Sequence, residues 1–161
     1  MRFLLPFCAV LLIGGCGLSP VYQGGARGAV ATTLSSIQVG PIPDKAGWLV
    51  RNALVDRLGD GSTAPRYRLD VELDDQLTGF GIRGDTAATR ERRTLRARYR
   101  LIELASGQVV LDATAGSDAG IDVVSSQYAT VAAEQSALER LAQGVADQVT
   151  ARLALFARRA R

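Results

Sequence analysis

Tyr67-Arg68-Leu69-Asp70-Val71-Glu72-Leu73-Asp74 alternates one apolar and one charged residue along its whole length. Successive side chains of a β-strand point to opposite faces, so Tyr67, Leu69, Val71 and Leu73 line a core while the charged residues between them meet water. The strand is expected from Tyr67 to Leu77. Arg90 to Leu104 repeats the pattern, with Leu95, Ala97, Tyr99 and Leu101 inward and Arg92, Arg96, Arg98 and Arg100 outward. If the chain reverses at Gly84-Asp85-Thr86, Arg100 faces Asp70, Arg98 faces Glu72 and Arg96 faces Asp74. Opposite charges directly across a ladder stabilise it by roughly 0.2–1 kcal/mol each.

Outward from this hairpin, Ser106-Gly107 reads as a turn into a further strand, Gln108 to about Ala115. A Gly/Ser/Asp-rich connection, Gly116 to Gln127, precedes a long helix from about Ala129 to Ala157. Leu138, Leu141, Val145, Val149, Leu153 and Phe156 recur at steps of three and four, which gives that helix one apolar face. Upstream, Thr32 to Val39 carries β-branched residues and reads as a first strand, stopped by Gly40-Pro41-Ile42-Pro43. Asp44 then opens a helix that Gly59-Asp60-Gly61 ends after Leu58. The order β-α-β-β-β-α predicts an α+β two-layer sandwich: a four-stranded mixed sheet with two helices on one face. The first strand should lie parallel to its neighbour, because a helix carries the chain across. The expected core is Leu69, Val71, Leu73, Leu95, Tyr99, Leu101, Leu138, Leu141, Val145 and Val149.

The N-terminus has a different character. Arg2 precedes an apolar run from Phe3 to Ile13 and then Gly14-Gly15-Cys16. That is a signal-peptide layout, too short for the roughly 17–25 residues that span a bilayer. The ending resembles a bacterial lipobox. Such a site implies lipidation of Cys16, cleavage before it, and acyl chains of the palmitate type that hold the chain in a membrane through this lipid anchor. Residues 1–15 are thus expected to be a signal peptide, 16–31 the lipidated cysteine and a Gly-rich flexible tether, and 32–161 a single domain. Gly17, in place of the Asp that retains lipoproteins at the inner membrane, favours the outer membrane and its periplasmic face. Cys8 leaves with the signal peptide, so the mature chain can form no internal disulfide.

Cys16-Gly17-Leu18-Ser19-Pro20-Val21-Tyr22, Arg51-Asn52-Ala53-Leu54-Val55-Asp56-Arg57-Leu58 and Tyr128-Ala129-Thr130-Val131-Ala132-Ala133-Glu134, in this element order, resemble the LPS-assembly lipoprotein LptE family. Leu18, where the family usually has an aromatic residue, and Val21, in place of Leu, depart from its opening motif. The resemblance implies an outer-membrane lipoprotein that plugs an LptD-type β-barrel, assists its assembly and helps pass lipopolysaccharide to the cell surface. An accessory lipoprotein of an ABC-type phospholipid transport system is the alternative with the same export signal and size.

The composition argues against catalysis. There is no histidine, the commonest general base and metal ligand. Asp74-Asp75 and Asp56/Asp60 are the carboxylate pairs an acid-pair hydrolase would need, and surface acids explain them as well. No phosphate loop or zinc spacing occurs, no cofactor or metal is expected, and a net charge of +3 is too mild to imply nucleic acid. One constellation invites a ligand. Cross-strand pairing accounts for Arg96, Arg98 and Arg100 but leaves Arg83, Arg90, Arg92 and Arg93 in surplus near the hairpin turn, Arg90 facing Phe80 and Arg92 facing Thr78. These four are the candidate lipopolysaccharide-binding residues, through bidentate hydrogen bonds to phosphate. Glu134, Glu139, Arg140 and Asp147 read as the solvated face of the last helix. Arg158, Arg159 and Arg161 complement the negative end of its dipole, with anionic head groups as their alternative partner. Trp48 and Tyr128 read as core or interface anchors.

Overall fold

The computed structural model describes residues 28–59, 64–82 and 88–159. Its elements are α1 (Ala29–Ser35), β1 (Ile37–Val39), α2 (Asp44–Leu58), β2 (Tyr67–Ile82), β3 (Ala88–Glu103), β4 (Val109–Asp122) and α3 (Gln127–Arg159). The strands form one mixed sheet in the order β1-β2-β3-β4, with β1 parallel to β2 and the other pairs antiparallel. The hairpin register is the one the charge alternation implies: Asp70 lies opposite Arg100, Glu72 opposite Arg98 and Asp74 opposite Arg96.

Odd-numbered residues of β2 and β3 face the helices. Leu69, Leu95 and Leu101 are fully buried there, and Tyr99 nearly so. Leu138, Leu141, Val145 and Val149 of α3 close over them, while α2 contributes Val50, Ala53, Leu54 and Leu58. Leu73 is only partly buried, because it lies at the margin of the core. Gly59 ends α2 with φ of 91°, a left-handed backbone that a glycine adopts without strain.

Three sequence expectations need correction. The strand expected over Thr32–Val39 is only Ile37–Val39, preceded by a helical segment, α1. Val30 and Leu34, one turn apart, are buried, and α1 packs on α3, so tertiary burial overrides the β-branched composition. Thr32 and Thr33 turn their hydroxyls back to the carbonyls of Gly28 and Ala29. The helix also begins inside the stretch read as a tether. Finally, β4 runs on through residues 116–122, read from sequence as a Gly/Ser/Asp-rich connection, because β3 offers it a continuous pairing edge up to Arg90 opposite Asp122.

The extra strand length matters for function. The N-terminus of α2 reaches only the level of Leu73 and Asp75, where Pro43, Asp44 and Lys45 border a hollow with Arg93. Past that level β2 is exposed on both faces. The start of α3 lies instead under β3 and β4, where Thr130 is buried and the Glu134 carbonyl accepts from Arg93 of β3. The result is a three-stranded projection, here called the distal end.

Candidate functional site

Among the described residues, no helix covers the outer face of the sheet. Arg90, Arg92, Arg96, Arg98 and Arg100 form a central column on β3, flanked by Asp70, Glu72 and Asp74 on β2 and by Asp112, Asp118 and Asp122 on β4. Among the described residues, two of the cross-strand ion pairs on this face are diagonal and one, Arg90 with Asp122, is direct. Arg100 reaches Glu72 at 2.8 Å, not the Asp70 opposite it, which is held by Arg68 at 2.9 Å. Arg98 turns to β4 and clasps Asp112 with two hydrogen bonds of 3.3 and 3.0 Å, not Glu72. That contact lowers the Asp112 carboxyl below its ordinary range and raises the Arg98 guanidinium.

The four candidate arginines do not stay together. Arg83 lies outside the described residues. Arg90 pairs with Asp122 at 3.0 Å, both side chains well exposed; the acid comes from the part of β4 that the sequence reading treated as a connection. Arg93 is on the opposite face of the sheet. It shares parity with Leu95, so it points toward α3, where it grips Asp75 at 2.8 and 2.6 Å and donates to the Glu134 carbonyl at 3.2 Å. The Asp75 hydrogen bonds raise its pKa further. Arg93 is therefore a strut between β3, β2 and α3, and strand parity was the signal that could have shown it. Arg92 is different. Its guanidinium stacks 5.5 Å above the Phe80 ring, and among the described residues no carboxylate lies within ion-pair distance of it.

Arg96 also lacks an ion pair among the described residues. It borders an open hollow of about 500 Å³ on the outer face, with Asp74, Arg98, Thr114, Gly116 and Gln148. Gln148 reaches from α3 around the sheet edge and brackets Gly116, accepting from its N–H and donating to its C=O. The outer face thus presents two cations without a carboxylate clasp, Arg92 beside an aromatic ring and Arg96 in a hollow. Such an arrangement can hold an anion.

The sheet separates Asp74 from Asp75. Asp74 and Asp75 project from opposite faces: Asp75 holds Arg93, and Asp74 accepts from Gln76. Asp56 is exposed on α2, and Asp60 lies outside the described residues. One acidic juxtaposition was not foreseen. Glu91 of β3 faces Glu134 of α3, which therefore is not on a solvated face. Burial raises the Glu91 carboxyl above its ordinary range; the negative charge of Glu134 and a hydrogen bond to it add to the shift. One Glu91 oxygen is enclosed without a hydrogen-bond partner. No group of three or more His, Cys, Asp or Glu side chains converges on a metal position among the described residues. Trp48 and Tyr128 are exposed, 62% and 86%, so neither is a core anchor.

The sandwich recurs in solved structures of bacterial lipoproteins. A lipoprotein from Caulobacter crescentus CB15 is 25% identical, with a TM-score of 0.66 over 83% of this chain and 98% of the other. A minor lipoprotein from Acinetobacter baumannii shares the fold at 13% identity, TM-score 0.58, covering 75% and 92% of the two chains. The rare lipoprotein B of Shewanella oneidensis does so at 10% identity, TM-score 0.51, covering 74% and 92%. No curated protein matches the chain by sequence. The fold thus defines a lipoprotein-type α+β domain with one helix-covered and one open sheet face. Residues 34–153 match the LptE lipopolysaccharide-assembly family, and the chain belongs to that family. Its role accordingly lies in lipopolysaccharide assembly.

Proposed function

We propose that this chain is a lipid-anchored outer-membrane lipoprotein that docks with an LptD-type β-barrel and assists the passage of lipopolysaccharide, by binding and without catalysis. The observation that carries the reading is the family match over residues 34–153, which takes in α2, all four strands and most of α3. The signal-peptide layout ending at Cys16 supports the anchor. The candidate phosphate contact centres on Arg92 at the distal end, with Arg90 beside it held only by an exposed, salt-screened pair. Arg93 is engaged on the inner face and is left out of the contact.

Affinity purification of the tagged mature protein from detergent-solubilised membranes tests the partnership. The expected companion is one large outer-membrane β-barrel, identified by its peptide masses. Recovery of an inner-membrane ATPase complex in its place would instead favour phospholipid transport. Mass spectrometry of the same sample should find an acylated Cys16 and no residues 1–15.

A further inference from the structure

Beyond the distal end, the opposite pole of the domain also presents exposed cations. The Tyr67 and Phe156 rings meet edge to face at 5.8 Å, which sets the last turns of α3 over the first residue of β2. The Leu104 N–H donates to the Arg66 carbonyl, bringing the β3–β4 turn alongside. The Ser36 carbonyl accepts from the Arg66 and Tyr67 N–H groups, which ties the end of α1 to the same place. Ser36, the residue that follows α1, therefore lies at this pole. Arg152, Leu155 and Arg159 follow at steps of three and four on one side of α3, all exposed. Arg66 is also exposed and stands over the Tyr67 ring. Leu104, Val109 and Leu155 are the exposed large apolar residues here. The described acids at this pole are Glu103, engaged by Arg66 at 3.6 Å and by the Ser106 hydroxyl, and the exposed Asp56 on α2.

We propose that this pole is a second membrane contact: Arg66, Arg152 and Arg159, interspersed with Leu104, Val109 and Leu155, rest on an anionic phospholipid surface. Two features select that occupant over a protein. The pattern of cations and apolar side chains matches a head-group boundary, where arginine meets phosphate and aliphatic groups enter the interface. The reach also fits. The segment from Cys16 to Gly28, even fully extended, spans at most about 40 Å, so the domain cannot leave the neighbourhood of the leaflet that holds its lipid. Contact through this pole would orient the uncomplexed lipoprotein with its distal end, and Arg92, pointing away from the bilayer. The proposal rests on the anchored reading above for this reach and for which membrane is met, whereas the pattern of charge and apolar side chains stands without it.

The test uses the chain from residue 16 onward carrying Cys16→Ser, so that no acyl chain contributes. Sedimentation with vesicles of phosphatidylglycerol and phosphatidylcholine should pull the protein down, pure phosphatidylcholine vesicles should not, and added salt should release it. Each arginine near an anionic surface strengthens binding about fivefold at low salt, so the double change Arg152→Gln/Arg159→Gln should weaken it roughly 25-fold. Leu104→Ser should weaken it independently of salt, and Arg140→Gln, on a side of α3 away from this pole, should leave it unchanged. Circular dichroism confirms that each variant is folded. Equal binding to both vesicle types, no binding to either, or full binding by the double variant would overturn the proposal. Whether Cys16 is acylated is read separately on the natural protein, so the two readings can fail independently.

Discussion

Replacing Arg93 separates the two roles that its position in the sequence allowed. Its guanidinium holds Asp75 through hydrogen bonds of 2.8 and 2.6 Å, and the side chains are only 17% and 23% exposed. A third bond reaches the Glu134 carbonyl. Charge-assisted hydrogen bonds contribute about 1.5–3 kcal/mol, and stranding one partner of a fully buried pair costs about 3–5 kcal/mol. The site admits some water, so Arg93→Ala should destabilise by about 2–3 kcal/mol, between the exposed-pair and buried-pair limits. With a urea m-value near 2 kcal/mol/M, the unfolding midpoint should fall by about 1–1.5 M. Asp75→Ala should cost a similar amount, and the double change little more than either alone, since the pair is a single unit. Arg93→Lys should recover only part of the loss, because a lysine cannot make the paired hydrogen bonds. Lipopolysaccharide binding by the folded fraction should be unaltered. An unchanged midpoint together with lost binding would refute the inner-face assignment and return Arg93 to the ligand.

Other consequences are as direct. Leu141→Ala, which empties a buried position of α3, should cost about 2–5 kcal/mol in chemical denaturation; Leu73→Ala should cost less, because that side chain is already partly exposed. Gly47→Ala should lower the melting temperature sharply, since a Cβ there would come within 2.6 Å of the Ile42 carbonyl oxygen, a backbone atom that cannot move aside cheaply. Glu91→Gln should stabilise the protein at neutral pH. With the folded-state pKa raised, the native chain holds its proton more tightly than the unfolded one, so stability falls as pH rises from the ordinary glutamate value through the raised one. Stability measured across that window should slope less in the variant, and an unchanged slope would count against the enclosed carboxyl. Arg92→Ala should weaken lipopolysaccharide binding in a salt-dependent way while leaving the unfolding midpoint within about 0.5 kcal/mol of the parent.

The strongly periodic parts of the chain were legible from sequence. Alternation in β2 and β3 determined both the pairing register and the inward residues from Leu69 to Leu101, because slipping by one residue would expose every apolar side chain. What escaped was decided by neighbours. The segment Ala29–Ser35 is helical because Val30 and Leu34 find the surface of α3, which no local pattern reveals. Residues 116–122 carry turn-forming glycines and aspartates, yet pair along β3 because that strand is long enough to template them. Losing that length in the sequence reading concealed Asp122, and with it the partner of Arg90. Side-chain partners were the least legible layer. Arginines reach diagonally as easily as straight across, so a correct register still assigned Arg98 and Arg100 to the wrong acids.

Delivery of lipopolysaccharide is the role that a single measurement decides. In the parent cell, the protein is depleted and newly made lipopolysaccharide is pulse-labelled. The fraction at the cell surface is then read with a reagent that cannot cross the outer membrane. This fraction should fall as the protein disappears, wild-type chain should restore it, and a chain with Cys16→Ser should restore it poorly. Surface arrival that continues at the normal rate without the protein would contradict that role.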